Sequence, residues 1–265
     1  MAVMALAMAG CNGSEGPAAD ASATAGAETA APMPAAPEAS PAAKGRSETV
    51  ENDTFSFAYS YPDQAAAIPA LRDMLDQRLD AAKSDVETSA RSGKAEAGKD
   101  GFPFHPYERQ ADWKVVTDLP GWLSLSATLY EFSGGAHGMT NYDALLWDRG
   151  ADTARKPGDL FTSQGALRDA IQAPFCEVLD QQREKKRGEP VQRSGQMFTE
   201  CIDPTAQTVI LGSTNRRTFD RIGVLVAPYE AGPYAEGSYE VTVPVTAKVM
   251  AALRPQYRAA FSVQP

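Results

Sequence analysis

The hydrophobic and polar positions change their period several times along the chain, and each change predicts an element. In residues 54–61 aromatic side chains alternate with small or polar ones, the period of two expected for a strand with one buried face. Residues 65–90 carry apolar side chains three and four positions apart among charges, which predicts a long amphipathic helix. The apolar face of that helix holds Ile68, Leu71, Leu75, Leu79, Ala82 and Val86. The polar residues 92–101, rich in Gly and Lys, predict a loop.

The rest of the pattern predicts more strands than helices. Residues 113–117 and 123–130 predict a hairpin around the turn pair Pro120 and Gly121. Further strands are expected at 140–148, 207–211, 218–226 and 239–245, the last closed by Pro244 or placed at a sheet edge, and a second helix at 165–182. Because strands and helices come in blocks, the sequence predicts an α+β fold: antiparallel-rich sheet or sheets packed by one long and one shorter helix.

The N-terminal residues have the pattern of an exported, lipid-anchored protein. Residues 1–10 are a short apolar leader, and Ala9 and Gly10 before Cys11 resemble a bacterial lipobox, although Met8 stands where Leu is usual. This predicts a signal peptide, shorter than usual, and a Cys11 that carries acyl chains such as palmitate. Asn12 is not the Asp that favours inner-membrane retention, so we expect an outer-membrane anchor facing the periplasm.

A long polar stretch separates this anchor from the folded part. Residues 11–46 are rich in Ala, Pro, Ser, Thr and Gly, which predicts a disordered tether. Residues 47–265 are expected to form the domain, with lobes at 47–132 and 133–265 as an alternative. Nothing after residue 11 is long and apolar enough for a transmembrane helix, so the lipid is the expected membrane attachment.

The charge of the chain limits its partners. It is 265 residues long, with 43% hydrophobic residues and a formal charge of −9. The tether holds four carboxylates and two cations, which leaves −7 on the domain. This balance disfavours nucleic acid, which needs clustered Lys and Arg. It suits a basic partner, and an ordinary solvated acidic surface is the competing interpretation.

The cysteines divide into one at the start and two in the second half of the chain. With Cys11 acylated, Cys176 and Cys201 are the two that remain, and an oxidising compartment favours their pairing. The sequence therefore predicts a disulfide between them.

The familiar enzyme motifs are missing from the sequence. It contains no G-x-S-x-G, no H-E-x-x-H and no EF-hand loop. Residues 93–99 fit G-x(4)-G-K, but Asp100 replaces the Ser or Thr that binds Mg²⁺. With His105 and His137 as the two histidines, we expect neither a metal site nor a cofactor, and a binding protein rather than an enzyme. A metal site of one histidine with carboxylates, such as His137 with Asp143, is the competing interpretation. The alternative function is an envelope hydrolase of unrecognised type that uses His137 with a carboxylate.

Two glycine-bearing segments are candidates for recognition. Three glycines surround His137 in residues 134–138, and tyrosines stand on a Gly- and Pro-containing segment at 228–237. In each case a purely structural interpretation competes: a tight turn with a packed imidazole, or rings that cover a sheet end. The candidate binding residues are Gly134, Gly135, His137, Tyr229, Tyr234 and Tyr239.

The order of these features resembles a known bacterial domain of unknown function. The residues that carry the resemblance are Y-E-F-S-G-G-A-H-G at 130–138, P-G-D-L-F at 157–161 and P-Y-E at 228–230, with the likeness spanning 48–253. That domain is the extracytoplasmic part of the lysozyme-binding anti-sigma factor RsiV and the N-terminal part of the peptidoglycan deacetylase PdaC. The resemblance implies an exported α+β domain that binds a basic, lysozyme-like protein or a glycan fragment at the cell envelope. The deacetylase's T-F-D-D-G motif is not matched, because T-F-D at 218–220 continues with Arg221.

Overall fold

Two β-sheets and four α-helices form residues 43–264, the part of the chain that this computed structural model describes. The first sheet has six strands in sequential order, β1 to β6. Its pairs are antiparallel, except that β2 and β3 run parallel. The strands are β1 Arg46–Glu51, β2 Phe55–Tyr61, β3 Tyr107–Leu119, β4 Trp122–Phe132, β5 Met139–Asp148 and β6 Thr153–Arg155.

A long helix makes the parallel connection between β2 and β3. After the short α1, Asp63–Ala66, helix α2 spans Pro69–Asp100. Leu71, Leu75 and Leu79 are fully buried against the aromatic side chains of β2. This is the apolar face that the three- and four-residue spacing predicts.

The prediction of a loop at 92–101 is wrong, because α2 continues through these residues. The helix ends at Gly101, whose φ of 74° is the left-handed C-cap conformation that glycine adopts most easily. Gly93 does not break the helix. A Cβ at this position would lie 2.2 Å from the Tyr107 hydroxyl, so glycine allows the start of β3 to approach α2 closely.

The second half of the described chain packs a helix on a smaller sheet. Helix α3, Gln164–Arg187, begins at Ser163, whose hydroxyl accepts from the Ala166 amide, and is longer than the predicted 165–182. The second sheet has the order β7 Thr208–Gly212, β8 Arg221–Val226 and β9 Tyr239–Pro244, followed by α4 Ala247–Ala252. Pro244 ends edge strand β9, as predicted.

The two faces of the first sheet belong to two different cores. Leu145 and Trp147 of β5 lie in the core under α2, whereas Leu146 lies in the core shared with α3 and the second sheet. Alternate residues of a strand point to opposite faces, so one strand serves both cores. The Thr208 hydroxyl donates to the Tyr142 carbonyl at 3.0 Å where β7 meets β5.

The α+β class and the antiparallel-rich sheets are confirmed. A division between residues 132 and 133 would cut the first sheet, because β5 and β6 continue it beyond β4. Strand β1 begins at Arg46, inside the predicted tether, and β1, β6 and α4 were not predicted. Between residues 43 and 264, none of the helices has the length and apolar character needed to cross a bilayer.

Candidate functional site

Two loops that are far apart in the sequence meet in the folded structure. One joins β4 to β5 and contains residues 134–138; the other joins β8 to β9 and contains Tyr229 and Tyr234. Gly134 and Gly135 have φ values of 97° and 93°, a conformation that suits glycine and turns the chain back. The turn places His137 against both tyrosines. We call His137, Tyr229 and Tyr234 the aromatic cluster.

The rings of the aromatic cluster contact one another directly. His137 stacks on Tyr234 with ring centroids 3.8 Å apart and planes 17° from parallel. The Tyr229 hydroxyl lies 3.3 Å from Nε2 of His137, and the two tyrosine rings are 5.5 Å apart. Stacked aromatic contacts of this kind hold side chains in defined positions.

Backbone hydrogen bonds fix the imidazole orientation. Nδ1 of His137 lies 3.0 Å from the carbonyl oxygen of Gly138, which also accepts from the Tyr234 hydroxyl at 3.0 Å. In the neutral ring Nδ1 therefore carries the proton, and Nε2 accepts from Tyr229. The cluster is a hydrogen-bonded unit as well as a stacked one.

Tyr130 holds the first loop in place from below. A Cβ on Gly138 would lie 2.4 Å from the Tyr130 ring, so a larger residue at this position would displace the ring or the loop. The third glycine of the segment is thus required for close packing. The first two are required for their backbone angles.

The aromatic cluster faces solvent. Tyr229 is 46% exposed, and its φ of 72° is rare for an aromatic residue. His137 is exposed and Tyr234 half-buried. Large aromatic side chains that are held rigidly yet exposed are favoured at protein-binding surfaces, because little side-chain entropy is lost on binding.

Basic residues at the end of α3 hold the second loop. Lys186 donates to the carbonyls of Glu236 and Ser238 at 2.6 and 2.7 Å, and Arg187 pairs with the Glu236 carboxylate at 2.9 Å. The Lys186 ammonium also lies 3.7 Å from the centre of the Tyr239 ring. Tyr234 lies two residues before Glu236, which these bonds hold in place.

Burial and hydrogen bonds set the pKa values of Glu236 and Tyr239, two of the residues that hold the second loop. Burial acts to raise the pKa of the Glu236 carboxyl, but hydrogen bonds from Arg187 and Tyr239 outweigh it and hold that pKa below its ordinary value. Burial and the Glu236 carboxylate together raise the pKa of Tyr239 to about 12. Around neutral pH the pair is a carboxylate and a neutral phenol.

Arg183 joins the second loop to the disulfide segment. It is fully buried, and it donates to the carbonyls of Ala231 at 2.8 Å and Glu200 at 3.0 Å. One helical turn later, Arg187 donates to the carbonyl of Phe198 at 3.2 Å. The predicted disulfide between Cys176 and Cys201 is confirmed, and it fixes the segment that supplies these carbonyls.

Sequence reasoning missed these basic residues, since charges at the end of a helix normally indicate a solvated face. The one available signal was the spacing of Arg183 and Arg187, four residues apart on one helix face.

Several predicted residues lie outside the aromatic cluster. Tyr239 is buried in the core, with its hydroxyl donating to Glu236, so it is not a surface contact. Asp143 pairs with Arg78 at 3.2 Å, and the hydrogen bonds of His137 go to Gly138 and Tyr229, so the suggested pairing of His137 with Asp143 is not formed. Cys11 lies outside the described residues.

Over residues 43–264 there is no group of three or more His, Cys, Asp or Glu side chains placed to hold a metal ion. Asp220, from the T-F-D sequence, is 2% exposed and accepts hydrogen bonds from Thr214 and Asn215, which is the role of a turn-stabilising carboxylate.

Comparison with known proteins places the first part of the domain. Residues 48–140 match the family model described as Deacetylase PdaC. The resemblance predicted from the sequence is confirmed over this stretch, which runs from β1 through the loop that carries His137. No curated protein matches the chain.

Two solved structures are similar over most of the chain. A DUF3298-family protein from Bacteroides fragilis is 17% identical, covers 80% of this chain and 93% of its own, and has a TM-score of 0.47. A DUF3298-family protein from Pseudomonas aeruginosa is 14% identical, covers 84% of this chain and 98% of its own, and has a TM-score of 0.43.

Proposed function

We propose that this PdaC-like protein is a lipid-anchored cell-envelope protein whose domain captures a basic protein of the lysozyme type through the aromatic cluster, without turnover. The observation that carries the proposal is the meeting of the two loops. Each was a candidate for recognition on its own residues, and together they form one exposed, rigid aromatic surface.

Charge supports a cationic partner. Because Arg46 belongs to β1, the domain from residue 46 onward carries −6 of the chain's −9. A net negative domain attracts a basic protein over a distance comparable to the Debye length, which speeds association at low salt. The resemblance to the lysozyme-binding domain of an anti-sigma factor points to the same class of partner.

The match to a family named for a deacetylase does not favour catalysis here. The T-F-D sequence continues with Arg221, and its Asp220 is already committed to hydrogen bonds with the turn before β8. A binding role fits the described residues better, because they form an exposed aromatic surface that hydrogen bonds and ion pairs hold in place.

The lipid anchor is part of this proposal. Cys11 after a short apolar leader, followed by a Pro- and Ala-rich tether, would hold the binding domain away from the membrane. Mass spectrometry of the natively expressed protein is expected to show acylation at Cys11. A soluble periplasmic protein with an unmodified Cys11 would contradict the anchor and leave the binding site untouched.

Calorimetry with lysozyme tests the binding function. A full-length Cys11→Ser chain, which stays soluble, is titrated with lysozyme at low and at moderate salt. We expect saturable binding without hydrolysis that weakens steeply as ionic strength rises. The absence of binding at both salts contradicts the assignment of a lysozyme-like partner.

A further inference from the structure

A concave surface lies on the face of the first sheet that α2 covers, opposite β7, and its lining includes Tyr130 and Met139, which flank the loop that carries His137. It is a cleft of about 350 Å³, within the range of small-molecule sites, about 300–1,000 Å³. Strands β3, β4 and β5 form its floor, and α2 forms one wall. The cleft exists because α2 packs mainly over β2 and β3, and small side chains such as Ala111 fill little of the remaining face. Its principal lining residues are Arg78, Arg109, Leu129, Glu131, Asn141 and Asp143.

The strand register arranges this lining in three rows. Arg109 lies opposite Glu131, Ala111 opposite Leu129 and Asn141, and Trp113 in line with Asp143. Successive rows are two residues apart along the strands, which is about 7 Å. The cleft therefore has an apolar middle row with one amide, and a charged row at each end.

Each charged end holds a weak ion pair. Arg109 lies 3.3 Å from Glu131 and Arg78 lies 3.2 Å from Asp143, and all four side chains are between 35% and 50% exposed. Pairs this accessible to water contribute little and rearrange easily when a ligand offers a better partner. The two cations and two anions balance, so the cleft favours a ligand without net charge.

Arg109 has an unmet donor. Its Nε is buried, and none of the described residues accepts a hydrogen bond from it. The Nε and Nη hydrogens of a guanidinium form a fork that matches the two oxygens of a carboxylate. A carboxylate on Arg109 would satisfy this donor, which Glu131 does not.

We propose that this cleft binds a short peptide of two or three residues with a free carboxyl terminus. The carboxylate lies on Arg109, small apolar side chains lie over Ala111 and Leu129, and the amino terminus faces Asp143. The end rows are about 14 Å apart, and side chains reach inward from both. An extended peptide spans at most about 3.6 Å per residue, so two or three residues fill the gap. This site is separate from the proposed function and does not depend on it.

Titration with trialanine tests the proposal, with the full-length Cys11→Ser chain followed by amide NMR shifts. We expect saturable shifts at β3 to β5. Trialanine with an amidated carboxyl terminus should bind about tenfold more weakly or worse, because it cannot use the guanidinium fork. Arg109→Lys should weaken trialanine to the same extent, since it keeps the charge and loses the fork. Glu131→Gln should tighten binding by removing the competing carboxylate.

Arg91→Lys is the matched control, because Arg91 is an exposed arginine of α2 outside the cleft, and it should leave binding unchanged. Equal binding of the free and amidated peptides overturns the proposal. It is also overturned by unchanged affinity in a folded Arg109→Lys protein, by shifts that do not saturate at about 10 mM trialanine, or by saturation with a neutral disaccharide in place of trialanine. The peptide comparison uses wild-type Arg109, so it holds even if the variant does not fold.

Discussion

Arg183 is the single residue on which the support of the aromatic cluster depends most. Arg183→Ala would remove the donor to the Glu200 carbonyl, leave the Ala231 carbonyl with its longer bond from Arg187, and empty a fully buried site. A cavity of this kind together with lost hydrogen bonds is strongly destabilising, and we expect the free energy of unfolding to fall by about 3–5 kcal/mol. Urea denaturation measures this loss. Arg91→Ala, on the exposed face of α2, should change it by no more than about 0.5 kcal/mol, and a loss of similar size for Arg183→Ala would contradict the role given to it.

At the scale of single residues, the sequence shows which residues are candidates for binding but not which of them contact one another. The glycines around His137 and the tyrosines at 229 and 234 are recognisable from the sequence as loop residues and as candidates for binding. Their meeting is not predictable, because it joins positions 92 residues apart through the packing of two sheets. Tyr239 is also a tyrosine, but it is buried because it lies on the inward side of β9.

The disulfide between α3 and the following segment is the main constraint at the scale of elements. It closes a loop of 25 residues, for which chain entropy predicts a stabilisation of roughly 3.5 kcal/mol. In a Cys11→Ser background, Cys176→Ser with Cys201→Ser should lower the unfolding free energy by up to that amount. It should also weaken lysozyme binding, because Glu200 and Phe198 then hold Arg183 and Arg187 less firmly. Urea denaturation and calorimetry on the same samples check both effects.

A thiol assay provides the control for the disulfide. The unreduced, denatured Cys11→Ser protein should contain no free thiol. Two free thiols, or a double variant as stable as the parent, would show that the bond does not constrain this segment.

Helices and strands were predictable where the apolar period was strong. The prediction failed where local composition was misleading. The face of α2 that carries Leu71 and Leu75 follows from spacing alone. Its last third was interpreted as a loop because of its glycines and lysines, yet Gly93 serves contact with Tyr107 and Gly101 ends the helix. Strand β1 lacks a hydrophobic alternation because charged Arg46 and Glu48 occupy its half-buried positions, and pairing with β2 rather than hydrophobicity makes it a strand.

Across the whole molecule, buried and paired ionisable groups set the pH range of stability. Hydrogen bonds from Lys83 and Arg46 lower the pKa of the Glu48 carboxyl below its ordinary 4.5, and Glu236 is lowered as well. Their stabilisation is fully present above pH 4.5 and is lost as the pH falls through the lower folded-state values. The pKa of Tyr61 and of Tyr239 is raised from 10.0 to about 12, mainly by burial. Stability from these phenols is lost as the pH rises from 10 through 12.

Glu236→Gln tests this dependence at the support of the binding loop. The variant should be less stable than the parent at pH 7 and should lose less stability on acidification, because the group with the lowered pKa is gone. Urea denaturation at several pH values between 7 and 3 gives both quantities. Glu240→Gln, at an exposed position of β9, is the matched control. An unchanged acid slope in Glu236→Gln would contradict the account of this carboxylate.

The central claim, that the aromatic cluster is the contact surface, is tested most directly by the rate at which lysozyme dissociates from two variants. Tyr229→Ala removes a ring of the cluster that is 46% exposed. Val263→Ala removes a side chain that is 51% exposed, next in the chain to Ser262, whose amide donates to the Phe219 carbonyl. The Phe219 ring contacts Trp122. Trp122 begins β4, whereas the loop with His137 follows its end, so the two sites are separated by about 34 Å of strand. We expect lysozyme to dissociate about 5- to 150-fold faster from Tyr229→Ala and to associate with it at a similar rate, while both rates for Val263→Ala match those of the parent. Equal dissociation rates for the parent and Tyr229→Ala would contradict the central claim.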